Sequence, residues 1–167
     1  SMTRLTLPLI LECLLFFVPL NIYVIGDHMA NGVQWAFFRY QQSYLGNSLI
    51  LVNKDIHYVA AGILRGSSAT GTIIWVSGAF LLFIAVIILA IAFALHKSEL
   101  TKPAGGLTIL AGALFIIAMI VEYGALFTND HGSSVPVGAP LIIVSGIWLF
   151  VGTFDEEDED PTGPASS

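Results

Sequence analysis

Residues 70–95 read TGTIIWVSGAFLLFIAVIILAIAFAL, a run of 26 residues without a single charge. As an α-helix it rises about 1.5 Å per residue and reaches about 39 Å, enough to cross a hydrocarbon core of about 30 Å with some tilt. Within it, Gly71, Gly78, Ala85 and Ala92 recur every seven residues. Small side chains at that spacing make a seam along which another helix can approach closely. Two later apolar stretches carry series of the same period: Ala111, Ala118 and Ala125, then Gly138, Ser145 and Gly152. Together they predict a tightly packed, left-handed bundle, with Leu82 turned toward lipid.

Composition agrees with a membrane protein. The 167 residues are 56% hydrophobic and 11% charged, against about 25% charged in a soluble domain. One domain is expected at this length. The net charge is −6, but half of the twelve acids lie in residues 155–160. No basic patch exists, which excludes nucleic acid as a partner class. Cys13 is the only cysteine, so no intrachain disulfide can form, and no Cys/His cluster has zinc-finger spacing. Ser1 ahead of Met2 reads as a cloning remnant.

Four spans are expected, at about 5–25, 70–95, 107–127 and 137–154. The fold class this implies is an all-α membrane protein, a four-transmembrane-helix antiparallel bundle. The first span competes with a cleaved signal peptide. Its length, the interruption at Glu12 and the weak cleavage site at Met29-Ala30 favour an uncleaved helix. Pro8 suits a first helical turn, and Pro19 is expected to kink the helix. Segment 26–69 holds too many polar residues to span and is read as a small external element. Residues 49–52 and 56–60 suggest a short β-hairpin around Asn53-Lys54-Asp55, with an interfacial amphipathic helix as the alternative. The short polar turns 98–106 and 128–136 make consecutive spans antiparallel neighbours. Residues 155–167 are expected to form a disordered acidic tail.

Orientation follows from lysine and arginine. Arg4, Lys97 and Lys102 crowd the span ends on one side, whereas Arg39, Lys54 and Arg65 are scattered along segment 26–69. Both termini are therefore expected in the cytoplasm, and segment 26–69 outside.

Glu122 is the most informative polar residue. A carboxylate inside a span is costly unless protonated, hydrated or paired. Its phase, four residues after Ala118 and three before Ala125, sets it beside the small-residue seam near the outer end of its span. Glu12 lies at the opposite depth, so the two should not touch. Acids at staggered depths can mark a proton or cation route; the bland alternatives are a bonded structural acid at 122 and a snorkelling one at 12. Asp27-His28 and Asp130-His131 repeat one dipeptide at the outer ends of two spans. With Glu122, and His57 from the external segment, these carboxylates and imidazoles form a candidate site for a divalent metal, although ordinary polar helix ends have the same composition. Ser133-Ser134 beside His131 lack a nucleophile-elbow pattern, and no catalytic residue is assigned. Trp35, Phe37, Phe38, Arg39 and Tyr40 suit the lipid–water boundary, or the docking of a lipid or partner.

Four spans with a long first external segment, a short inner turn and a short second external turn are similar in layout to claudin-like tetraspan proteins. The resemblance is one of topology alone. The external Trp and paired-cysteine signature of those proteins is absent, and no property follows from it. The lone cysteine also excludes a quinone-reducing, disulfide-generating four-helix enzyme, which needs Cys-x-x-Cys. Three function classes remain. The first is a structural or interaction component that works through contacts with lipid, a homo-oligomer or another membrane protein. The second is a transporter or channel component with Glu12 and Glu122 on the route. The third is a metal-dependent membrane enzyme built on Asp27, His28, Glu122, Asp130 and His131. They predict, respectively, a dry interior, a polar file joining the two glutamates, and convergence of five side chains on one cavity.

Overall fold

The computed structural model describes residues 4–154. The expected acidic tail at 155–167 lies outside the described residues. Helix α1 (Thr6–Leu14) starts with Pro8 in its first turn and continues as a 3-10 turn over Leu15–Phe17. Pro19 follows. A proline ring cannot donate to a helical hydrogen bond and fixes its own φ, so the helix stops before it. The first apolar run is therefore not one helix over 5–25. Its last five residues form strand β1 (Asn21–Ile25), whose β-branched alternation suits a sheet.

Segment 26–69 supplies three more strands and a helix: β2 (Ala30–Gln34), β3 (Phe38–Ser43), β4 (Gly46–Leu51) and α2 (Val52–Ala60). Helix α3 (Gly66–Leu95) carries the uncharged run and ends at His96, which takes a left-handed φ of 54°. A 3-10 turn over Ser98–Leu100 leads into α4 (Thr101–Tyr123), which stops at Gly124 with φ +86°. Strands β5 (Thr128–Asn129) and β6 (Gly132–Val135) precede α5 (Ala139–Val151), which has Pro140 in its first turn.

The six strands form one antiparallel sheet in the order β4-β3-β2-β1-β6-β5. An all-α four-helix bundle is thus the wrong class: the fold is helical with a six-stranded antiparallel sheet. The expected hairpin was half placed. Residues 49–51 lie in β4, but residues 56–60 are helical. Asn53-Lys54-Asp55 opens α2, where Asp55 sits in the first turn and suits the positive end of the helix dipole. Segment 128–136, expected as a short polar turn, instead closes the sheet by pairing β6 with β1 in the register Tyr23↔Ser134 and Ile25↔Gly132. β1 is therefore central, flanked by β2 on one side and β6 on the other.

Two described stretches, Gly66–Leu95 and Ser98–Tyr123, are long and apolar enough to cross a membrane; the apolar helices Thr6–Phe17 and Ala139–Val151 are shorter. At about 1.5 Å per residue, the 13 residues of α5 reach only about 20 Å. The core is apolar. Leu15, Leu20, Trp75, Leu82, Phe115, Met119 and Ile142 form its main cluster, and Leu89, Ala104 and Leu149 a smaller one. Leu82 is fully buried, not turned to lipid. The residue exposed beside it is Phe83, with Phe80, Ile87 and Ile91 on the outer face of the same helix.

The small residues sort into two contacts on α4. Toward α3, a Cβ on Gly78 would lie 3.2 Å from the Ala111 carbonyl, and one on Gly71 3.1 Å from that of Ala118. Ala85 and Ala92 are buried along the same face of α3. Toward α5, the close approach runs through Gly105, Gly112 and Gly146. A Cβ on Gly105 would meet Phe150 N at 2.6 Å, and one on Gly146 would meet Ile109 N at 2.7 Å. Of the other residues in the predicted series, Ala125 lies beyond the end of α4 and is exposed, and Ser145 is half-buried. Gly138 caps the start of α5 against Pro19, and Gly152 follows its end.

Candidate functional site

Between one face of the sheet, the N-terminal end of α3 and the C-terminal end of α4 lies a cavity of about 340 Å³. Strand periodicity builds its roof. Side chains alternate across a pleated strand, so residues paired across neighbouring strands share a face. Gln34↔Arg39↔Ile50 makes one such row, and Tyr23↔Gly32↔Gln41 the next. Gly32 is the reason the second row works. A Cβ there would lie 2.6 Å from Cζ and Oη of Tyr23, so only glycine lets the ring lie across β2 toward Gln41. Asp55 and Tyr58 of α2, Ile63 and Leu64 of the following loop, Ser68 and Thr72 of α3, Glu122 and Tyr123 of α4 and His131 complete the lining.

Arg39 organises one side. Its Nε donates to Asp55 Oδ2 at 3.1 Å and its Nη2 to Asp55 Oδ1 at 2.8 Å, a two-pronged ion pair tying β3 to α2. Its Nη1 donates to Gln41 Oε1 at 2.6 Å and to Tyr23 Oη at 3.1 Å, and Tyr23 Oη in turn donates to Gln41 Oε1 at 3.0 Å. Burial works against the guanidinium charge. The Asp55 hydrogen bonds, Tyr23 and the Asp55 charge outweigh it, so Arg39 is held above its ordinary range. Burial also pushes the Tyr23 phenol up, opposed by Arg39.

Glu122 organises the other side. Its Oε1 lies 3.2 Å from His131 Nε2. The hydrogen bond to Glu122 raises the His131 pKa above its ordinary 6.5, with burial opposing and the carboxylate charge reinforcing. Asn129 holds the histidine turn in place: its Nδ2 donates to the Glu122 carbonyl at 3.0 Å and its Oδ1 accepts from His131 N at 2.9 Å. Gly71 of α3 packs behind the acid, where an added Cβ would sit 3.3 Å from Glu122 Cβ. The Tyr123 ring stands 5.5 Å from the His131 ring. Next to the cavity, Asn21 Oδ1 and Ser134 Oγ are buried with no hydrogen-bond partner among the described residues.

Of the five residues considered for metal, the structure brings together Glu122 and His131. Asp27, His28 and Asp130 lie on exposed turns, and His57 is exposed on α2. No group of three or more His, Cys, Asp or Glu side chains able to hold a metal occurs among the described residues. Glu12 is buried in a different place, where it hydrogen-bonds Thr108. Thr108 Oγ1 also lies 2.8 Å from the Ala104 carbonyl. Glu12's partner Thr108 and Glu122 stand about 21 Å apart along α4. Ala111, Phe115, Ala118 and Met119 lie buried between them.

The aromatic segment is divided by the strand. Trp35 stacks on Phe38 at 4.8 Å and donates Nε1 to the Phe17 carbonyl at 3.1 Å. Phe37 stacks on Phe16 at 5.2 Å and meets Phe83 edge-on at 6.3 Å. Arg39 faces the cavity, and Tyr40 is half-buried on the opposite face of β3. Sequence reasoning missed Tyr23, Gln41, Asp55, Tyr58 and Tyr123. The alternation in NIYVI and FRYQQS was the available signal, but the first was read as helix and the second as an interfacial segment. The sequence matches no protein-family model and no curated protein.

Proposed function

We propose that the chain is a membrane-embedded interaction protein that recognises a small polar ligand in the cavity between sheet and helices. It crosses the bilayer several times, keeps both termini in the cytoplasm and presents the sheet outside. The observation that carries this reading is the cavity itself. At about 340 Å³ it falls in the size range of small-molecule sites. Its polar groups converge from three strands, three helices and the His131 turn, while the helices beneath are apolar. Only 33% of the most apolar window of α3 is buried inside the protein; a core helix of a soluble protein would be mostly buried, so this exposure supports a lipid contact. The dry stretch between Glu12 and Glu122 favours recognition over transport, and the dispersal of Asp27, His28 and Asp130 favours it over metal chemistry.

The test is cysteine labelling in a Cys13→Ser background. Ser68→Cys, in the cavity lining, is expected to react with a membrane-impermeant maleimide added outside intact cells, and Ser98→Cys is not. Labelling of Ser98→Cys alone would place the cavity on the cytoplasmic side and overturn the reading.

A further inference from the structure

We infer that the cavity takes an organic ammonium ion, with Glu122 as its counter-charge and Tyr23, Tyr58 and Tyr123 as its aromatic walls. This deepens the proposed recognition function and rests on it. The argument starts with what each lining group has left to offer. Arg39 spends its charge on Asp55, and its Nη1 protons go to Tyr23 and Gln41. It is therefore a poor anchor for an anion. With Arg39 and Asp55 cancelled and His131 neutral, the lining carries one uncompensated negative charge, Glu122. That carboxylate uses Oε1 toward His131, and no hydrogen bond reaches Oε2 among the described residues.

Three of the lining side chains are tyrosines, whose ring faces attract a cation. Ile25, Ile50, Ile63 and Leu64 add apolar wall, which suits the alkyl groups of a substituted ammonium better than a bare metal ion. A carboxylate, aromatic faces and apolar wall, with the one arginine already paired, fit this ligand class.

His131 then acts as a competitor. Protonated, it satisfies Glu122 and opposes an incoming cation; neutral, it leaves the carboxylate to the ligand. The other charged or titratable groups around the cavity are Arg39, Asp55, Tyr23, Tyr58 and Tyr123. Binding is therefore expected to strengthen as pH rises through the His131 titration.

The experiment uses the full chain in lipid nanodiscs and three probes of one shape: choline, the neutral 3,3-dimethylbutan-1-ol and the anionic 3,3-dimethylbutanoate. Ligand-observed NMR reads binding. Choline is expected to bind at least about tenfold tighter than either isostere, the size of effect one uncompensated charge and an aromatic wall supply. Glu122→Gln should abolish that preference, and His131→Gln should remove its pH dependence while keeping binding. Where Glu122→Gln fails to fold, Tyr58→Leu carries the test, since it breaks no ion pair and should weaken choline selectively. Equal binding of the alcohol and choline, both lost when Ser68→Trp fills the cavity, would overturn the ammonium inference and leave the cavity reading standing. Binding of no probe, or binding unaffected by Ser68→Trp, would overturn the inference together with the recognition function beneath it.

Discussion

Arg39 of β3 and Asp55 of α2 meet in a two-pronged ion pair, 2.8 and 3.1 Å long, that fastens α2 to the sheet. Both side chains are largely buried, at 15% and 12% exposure. Removing one partner strands the other in a partly desolvated site. Asp55→Ala is expected to destabilise the protein by on the order of 3 kcal/mol. Replacing both residues by apolar ones, Arg39→Met with Asp55→Leu, should recover part of that loss. Denaturation of the single and double variants checks it; additive losses in the double variant would show that the two residues are not coupled.

The glycines between α4 and α5 let two backbones touch. Gly146→Leu is expected to cost about 1–3 kcal/mol by overpacking against Ile109 and Gly105. Phe80→Leu, on the exposed face of α3, should stay within about 0.5 kcal/mol. Equal thermal shifts for the two would contradict the close helix contact.

The Glu122–His131 contact predicts a pH dependence. Its partner raises the His131 pKa in the folded protein. The stabilisation is therefore full below the ordinary histidine value, about 6.5, and fades as pH climbs past the higher folded value. Because the pair is partly exposed, at 34% and 25%, the effect should be about 0.5 kcal/mol. His131→Gln should melt below wild type at pH 6 and match it by pH 8.5. A difference that grows with pH would reverse the sign and remove the ion pair from the account.

Residues and their period made some of this legible. The uncharged run of 70–95 did predict a helix long and apolar enough to span, because nothing in it competes with helical packing. Glu122 follows Ala118 by one helical turn, and it sits near the C-terminal end of α4 with Gly71 of α3 packed behind it. The sheet was hidden for a physical reason. β1 is buried at Asn21 and Tyr23 and follows an apolar helix without a polar break, so hydropathy ran straight through Pro19. β3 alternates weakly, since both of its faces are half-buried. The pairing of β6 with β1 joins residues more than a hundred positions apart, which no local pattern can announce. Asp55 sat in a stretch whose composition suited a turn, and its partner Arg39 was read as a lipid-facing anchor. Leu82 was assigned by seam geometry to the wrong side of α3, because α3 buries the seam and its flank together.

That a strand, not the end of a membrane helix, carries Tyr23 into the cavity is tested most directly by single-cysteine alkylation rates along residues 21–24 in a Cys13→Ser background. Ile22 is 46% exposed, whereas Asn21 and Tyr23 are buried at 1% and 2%. The expected result is a period of two: Ile22→Cys reacts fast, Val24→Cys at an intermediate rate, and Asn21→Cys and Tyr23→Cys slowly. Uniform protection across all four positions, as in a helix embedded in lipid through residue 25, would contradict the account.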